Sequence, residues 1–286
     1  MEISGNNVIV STDVEKQKNK QEKRNNRKAN LAAVGASAAV GAATILPVKY
    51  FLSKVSQVSN KESVDVINAA VDKTLSGITN LSKKGVEILN LTEMPNMTGV
   101  NRFDLNYKRL QMEKMVAEGK NAFFQPNYNE IFINREKAPH LAFHEMGHAY
   151  NFNNSKFWKS MQRMKLGSMI LPALFASMVF YTKKATANEG EELTKTQKIK
   201  NGIRDACPIL AAASMLPNLA EEGMATIRGN KWAKQLLDPA NYKKVVKANK
   251  AGFMTYAIQA AATGLSIWAA KAVKDHYTAP KETAKS

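Results

Sequence analysis

The sequence predicts a mainly helical chain with a small β-hairpin near its middle and several helices apolar enough to cross a bilayer. Three observations carry that expectation. His144-Glu145-Met146-Gly147-His148 sets two imidazoles four residues apart, which places them on one face of a helix. Just upstream, two short runs of strand-forming residues flank Pro126-Asn127-Tyr128-Asn129, a turn by composition. Four uncharged stretches, residues 29–48, 166–182, 206–220 and 251–270, interrupt a chain otherwise rich in lysine.

The elements follow in order. Residues 1–28 are polar and strongly basic and are expected to be disordered. Residues 29–48 read as a membrane helix rich in alanine and glycine. Residues 49–165 form the region that carries the histidine pair. Within it, Val64, Ile67, Val71, Leu75 and Ile78 recur at three and four, the mark of an amphipathic helix, and Val86 and Leu89 resume the series. Phe103, Tyr107 and Leu110 start another helix, closed by Gly119. The runs 121–125 and 130–134 pair as the hairpin. Pro139 suits a first helical turn, and the helix runs to about residue 154, with Ala142, Met146, Ala149 and Phe152 as its packing side.

Residues 166–220 read as a membrane hairpin, 221–250 as a further helix and a basic linker, and 251–277 as an apolar helix. The tail, 278–286, is polar and expected to be disordered. A spanning helix needs roughly 17–25 apolar residues. Each stretch meets that length or comes near it, and each could instead be a buried helix of a soluble core. Lysines flank nearly all of them, at 16–28, 183–184, 195–200 and 243–250. Anionic lipid head groups explain that placement. Formal charge is +17, from 41 basic and 24 acidic residues, but no nucleic-acid motif or aromatic-basic interleaving accompanies it. The single cysteine, Cys207, leaves no intrachain disulfide. If all four stretches span, both termini and the 183–204 loop share one side, and the histidine pair faces the other.

The pattern H-E-x-x-H has a chemical reason. Two imidazole nitrogens, one carboxylate oxygen and one open position make a hydrolytic zinc site, and Glu145 lies close enough to act on water there. Only four histidines occur in the chain, and two are His144 and His148. The plain alternative is a pair of ordinary helix histidines. His140, one turn earlier, lies roughly 6 Å further along the axis, too far for the same ion, and suits a supporting contact. His276, near a charged C-terminus, is expected to be solvated.

The stretch 121–154, a strand pair leading into H-E-x-x-H, resembles the zinc-dependent metallopeptidases called zincins. That resemblance implies an α+β zincin-like core, a bound Zn2+ held by His144, His148 and a downstream glutamate, and Glu145 as general base. Leu219-Ala220-Glu221-Glu222-Gly223-Met224-Ala225-Thr226 offers the glutamate. Glu222 is preferred to Glu221, because it shares a helical face with Ala225, Thr226 and Gly229, small residues that let helices approach. Paired acids near a helix start also suit the helix dipole. Where the family often has Asp four residues after the ligand, this chain has Thr226. For the oxyanion-stabilising group, Arg228 and Tyr242 are the candidates.

Apolar stretches between H-E-x-x-H and the glutamate helix make the layout similar to the integral-membrane zinc peptidases of the HtpX and CAAX-prenyl-protease type. The chain departs from the former in having one upstream apolar stretch where that group usually has two. The resemblance implies a multi-pass, membrane-associated zinc endopeptidase acting on a polypeptide. The alternative is a non-enzymatic, membrane-anchored scaffold whose zincin module is structural or degenerate; an intact Glu145 argues against degeneracy.

Overall fold

The computed structural model describes residues 6–53, 58, 60–101, 105–187 and 190–279. Phe103 and most of the 278–286 tail lie outside them. The elements are α1 (Asn6–Leu52), α2 (Lys61–Lys73), β1 (Glu87–Asn90), α3 (Leu105–Ala117), β2 (Phe123–Gln125), β3 (Glu130–Ile133), α4 (Ala142–Asn154), α5 (Lys156–Arg163), α6 (Lys165–Tyr181), α7 (Lys195–Ala213), α8 (Leu216–Leu236) and α9 (Pro239–Thr278). The chain divides into two compact units. One is Ile45–Ser168 with Met215–Gln259; the other is Met1–Thr44 with Met169–Ser214 and Ala260–Ser286.

The unit that carries the histidine pair is built on a three-stranded sheet of order β1-β3-β2. The hairpin forms as its composition dictates. Asn129 takes a left-handed φ of 59°, which asparagine tolerates, and β2 pairs antiparallel with β3. Phe123 faces Phe132 across the pair, rings 4.7 Å apart. The third strand is a correction. Val86 and Leu89 do not resume a helix. Gly85, at φ 74°, turns the chain out of a short 3-10 segment, Ser82–Lys84, and Glu87–Asn90 runs parallel to β3. The helical periodicity at those positions was accidental, because strand pairing with β3 is a long-range contact that spacing does not report.

β3 is central, and Ile131 and Ile133 are fully buried against Ala142, Phe143, Met146 and Ala149 of α4, Ile67 and Val71 of α2, and Trp232 and Ala233 of α8. Asn134 closes β3: its side chain accepts from the amides of Glu136 and Lys137 and donates to Ala117 O at the end of α3. Pro139 opens a single 3-10 turn, Pro139–Leu141, that runs into α4. Ser155 caps α5 by accepting from the amide of Trp158. Asp238 accepts from the amides of Ala240 and Asn241 and starts α9, so the stretch expected as a basic linker is helix.

The other unit contains the first part of α1, most of α6, all of α7 and the last part of α9. Val179, Cys207, Ala211 and Ile267 form its core. α1 is already helical at Asn6, so most of the leader expected to be disordered is ordered. Among the described residues one helix, Glu15–Leu52 within α1, is long and apolar enough to cross a membrane. Multiple spanning helices are not shown. α6 has 17 residues with an apolar stretch of only Ile170–Tyr181, and alanine, Gln259 and Tyr256 dilute α9.

Candidate metal centre

Two helices make the site, and two glycines set their separation. A Cβ on Gly147 of α4 would lie 2.4 Å from Ala225 O of α8, and one on Gly229 of α8 would lie 2.5 Å from Phe143 O of α4. Backbone touches backbone at both points, which only glycine permits. The small face of α8 at Ala225 and Gly229 thus turns toward the histidine helix and carries Glu222 with it.

His144 Nε2 and His148 Nε2 lie 3.0 Å apart. Glu222 Oε2 is 3.2 Å from the first and 3.3 Å from the second. A tetrahedral zinc with bonds of about 2.0–2.1 Å spaces its ligand atoms by roughly 3.3 Å. The three atoms already form such a triangle. Their other contacts are compatible with tautomers that leave both Nε2 atoms as acceptors. His148 Nδ1–H donates to the carboxylate oxygen Glu221 Oε1 at 2.8 Å, and His144 Nδ1 lies 3.3 Å from Thr226 Oγ1, a hydroxyl able to accept from it. With both Nε2 atoms unprotonated, three lone pairs would face one another across about 3 Å, an arrangement that a cation between them would relieve.

Glu221 is fully buried and holds its place through three donors on Oε1: His148, Asn151 at 3.0 Å and Gln162 at 2.7 Å. Asn151 is held in turn by Arg228, which stacks 4.7 Å over Tyr150. Lys165 Nζ sits 3.0 Å from Glu222 Oε1 and 3.4 Å from Glu221 Oε2. It occupies one oxygen of Glu222 and leaves the other for the histidines. Because α8 begins at Leu216, both acids lie in its second turn, beyond the first turn where a helix dipole acts.

The charges pull on one another. Burial alone would lower His148, but the carboxylates of Glu222 and Glu221 outweigh it and push the imidazole up to about 10. Burial alone would raise Glu222, but His148, His144 and Lys165 hold it well below the usual carboxylate range. The surrounding carboxylates therefore favour positive charge at His148. Two groups of possible metal ligands result, His144 with Glu145 and His148, and His148 with Glu221 and Glu222.

A cavity of about 470 Å³ opens on this centre. Glu145 lines it, only 8% exposed, beside His144, His148 and Glu222. Phe123 and Phe124 of β2 form part of its apolar wall, and β2 is an edge of the sheet. Tyr256 of α9 also lines it and hydrogen-bonds to Glu222. Neither Arg228 nor Tyr242 lines the cavity: the first anchors Asn151 and the second packs against the hydrophobic core. His140 is buried outside the centre, with Nδ1 unpartnered, and burial, with Lys244 nearby, pulls it down to about 4. His276 is exposed.

Sequence reasoning missed Tyr256, Lys165, Gln162 and Asn151. Asn151 had a local signal, since it lies three residues after His148 on α4. The other three reach the centre from α9, α6 and α5, and no spacing foretells that. No protein-family profile, curated protein or solved structure matches the chain.

Proposed function

We propose that the chain is a membrane-associated, zinc-dependent endopeptidase. The observation that carries this is the triangle of His144 Nε2, His148 Nε2 and Glu222 Oε2 facing a cavity in which Glu145 is the adjacent carboxylate. Two nitrogens and one oxygen with an open side suit zinc among divalent ions. Zinc held there supplies a Lewis acid that polarises a peptide carbonyl and acidifies water.

The protein's own groups do the rest. Glu145 takes a proton from the attacking water and returns it to the departing amine. The Tyr256 hydroxyl, on the cavity wall beside Glu222, donates to the oxyanion that develops on the carbonyl, the role first sought at Arg228 and Tyr242. Glu221 and Thr226 hold the imidazoles in register. An extended polypeptide laid along the edge of β2 meets an apolar wall, which suits a peptide substrate.

Multi-pass membrane insertion is supported by the second unit's packing. Small residues face inward there: Ala29, Ala33, Cys207, Ala211 and Ala270 are buried. Large apolar ones face outward, with Leu31 66% and Ile209 73% exposed, and Ile170, Leu174, Leu265 and Trp268 likewise. A Cβ on Gly264 of α9 would lie 3.0 Å from Pro208 O of α7. Small residues at helix contacts with bulky ones outside is the arrangement lipid favours and water does not.

The test is Glu145→Gln in purified protein loaded with zinc. Zinc content should match the parent, and hydrolysis of a casein-type substrate should fall by about 10²-fold or more. Equal cleavage by both proteins refutes the mechanism. If both hold zinc and neither cuts across a broad substrate panel, the scaffold reading takes its place.

A further inference from the structure

The four-helix unit contains a guanidinium whose recognition edge is unused. Arg204 of α7 is 3% exposed in its side chain and donates through Nη1 to Asp275 of α9. Its Nε and Nη2 are buried and have no partner. Those two atoms lie on one edge of the planar guanidinium and form the fork that grips oxyanions with two parallel hydrogen bonds. Beside it, Lys274 is fully buried and donates only to a main-chain carbonyl, Phe180 O at the end of α6.

The nearby acids are already committed. Asp205 pairs with Lys271 at 2.7 Å, and Asp275 pairs with both Arg204 and Lys271. Glu22 pairs with Lys183 at 2.6 Å. Arg204, Lys271 and Lys274 therefore face two carboxylates, a surplus of positive charge.

We infer that the Nε/Nη2 edge of Arg204, backed by Lys274, is a seat for a phosphate-type oxyanion. A tetrahedral oxyanion presents two oxygens to the fork and a third to an ammonium, and it balances the charge. The head group of an anionic phospholipid supplies it most directly. The helices leading away from this end carry the outward apolar side chains, so the end lies at the depth of lipid phosphates. The lipid source rests on the membrane reading above; the oxyanion seat does not, and neither depends on zinc or hydrolysis.

The test uses the full chain in mild detergent at about 0.5 M salt, where diffuse attraction between surface lysines and anions is screened. Phosphatidylglycerol, phosphatidylcholine and inorganic phosphate are titrated separately, with melting temperature and native mass spectrometry as readouts. The parent should bind phosphatidylglycerol at least about tenfold more tightly than phosphatidylcholine, and Arg204→Lys, which keeps the charge and loses the fork, should abolish that preference. Inorganic phosphate acting as strongly as phosphatidylglycerol, and lost in Arg204→Lys, supports the seat and overturns the lipid source. Equal binding by the parent and Arg204→Lys overturns the seat. Should Arg204→Lys not fold, the parent's titrations decide alone: no response to phosphatidylglycerol beyond phosphatidylcholine, and none to phosphate, overturns the inference.

Discussion

Replacing Gly147 by alanine should empty the metal centre without touching a ligand. The new Cβ would lie 2.4 Å from Ala225 O, 2.7 Å from Ala225 Cα and 2.8 Å from Ala225 C, all backbone atoms that no rotamer change can move. Carbon and carbonyl oxygen rest at roughly 3.3 Å or more, so α4 and α8 must part by about 1 Å. His144 and His148 ride on α4 and Glu222 on α8. Its 3.2 and 3.3 Å separations from the two Nε2 atoms would then open to roughly 4 Å, against a tolerance of about 0.2 Å in a metal bond. Zinc affinity should fall by at least about 100-fold. Overpacking against rigid backbone belongs at the upper end of its usual range, about 3 kcal/mol, or a melting point lower by roughly 6–12 °C. Metal analysis after dialysis and thermal melting by circular dichroism read the two effects. Gly202→Ala is the control: a Cβ there meets nothing within 4 Å, and an exposed helical glycine replaced by alanine should leave zinc unchanged and stability equal or higher. A Gly147→Ala protein that holds zinc like the parent and melts with it would refute the idea that the glycine crossing sets the ligand spacing.

Glu222→Gln should cost most of the zinc, whereas Glu221→Gln, which acts through His148, should cost about 10- to 100-fold in affinity; a larger loss from Glu221→Gln would exchange their roles. Tyr256→Phe should keep zinc and KM while kcat drops by about 10²–10³-fold, and an unchanged kcat removes Tyr256 from the chemistry. His140 is buried neutral with its pKa lowered to about 4, so the folded state binds fewer protons than the unfolded chain between there and about 6.5. Its contribution is intact above pH 6.5 and lost as pH falls toward 4, by up to about 3 kcal/mol. Urea titrations at pH 7 and pH 4.5 should show a smaller stability difference in His140→Leu than in the parent; equal differences would show that His140 is not the titrating group.

What the sequence made legible is what is local. His144 and His148 share a helix face because 3.6 residues make a turn, and Pro126 to Asn129 turn because of their own backbone preferences. That Glu222 rather than Glu221 lies against both Nε2 atoms was legible in the small residues one turn on, since those residues decide which face meets another helix. Strand β1 was illegible because its partner β3 lies some forty residues away and its apolar spacing also fits a helix. Lys165 read as the polar flank of an apolar stretch, and its contact with Glu222 depends on how α5 and α6 bring it back over the centre. Tyr256 sits in an uncharged run that reads as membrane helix, so its hydroxyl carried no signal.

The two adjacent acids of α8 also explain each other. Successive residues on a helix point about 100° apart, so one backbone position can serve both sides of the histidine pair. Glu222 reaches the Nε2 side, where the proposed ion would sit, and Glu221 reaches Nδ1 of His148, where a hydrogen-bond acceptor favours one tautomer. A single glutamate could do only one of these. The pair carries more negative charge than a tautomer needs, and Lys165 between the carboxylates answers that excess. Counted formally, Glu145, Glu221 and Glu222 with one lysine and two neutral imidazoles leave two negative charges around the centre, Glu145 and Glu222 on the cavity and Glu221 behind His148. A divalent ion would cancel that charge and a monovalent one would halve it. The charge balance thus favours the proposed divalent ion through atoms other than those of the 3.0–3.3 Å triangle, since Lys165, Glu145 and Glu221 are not its corners.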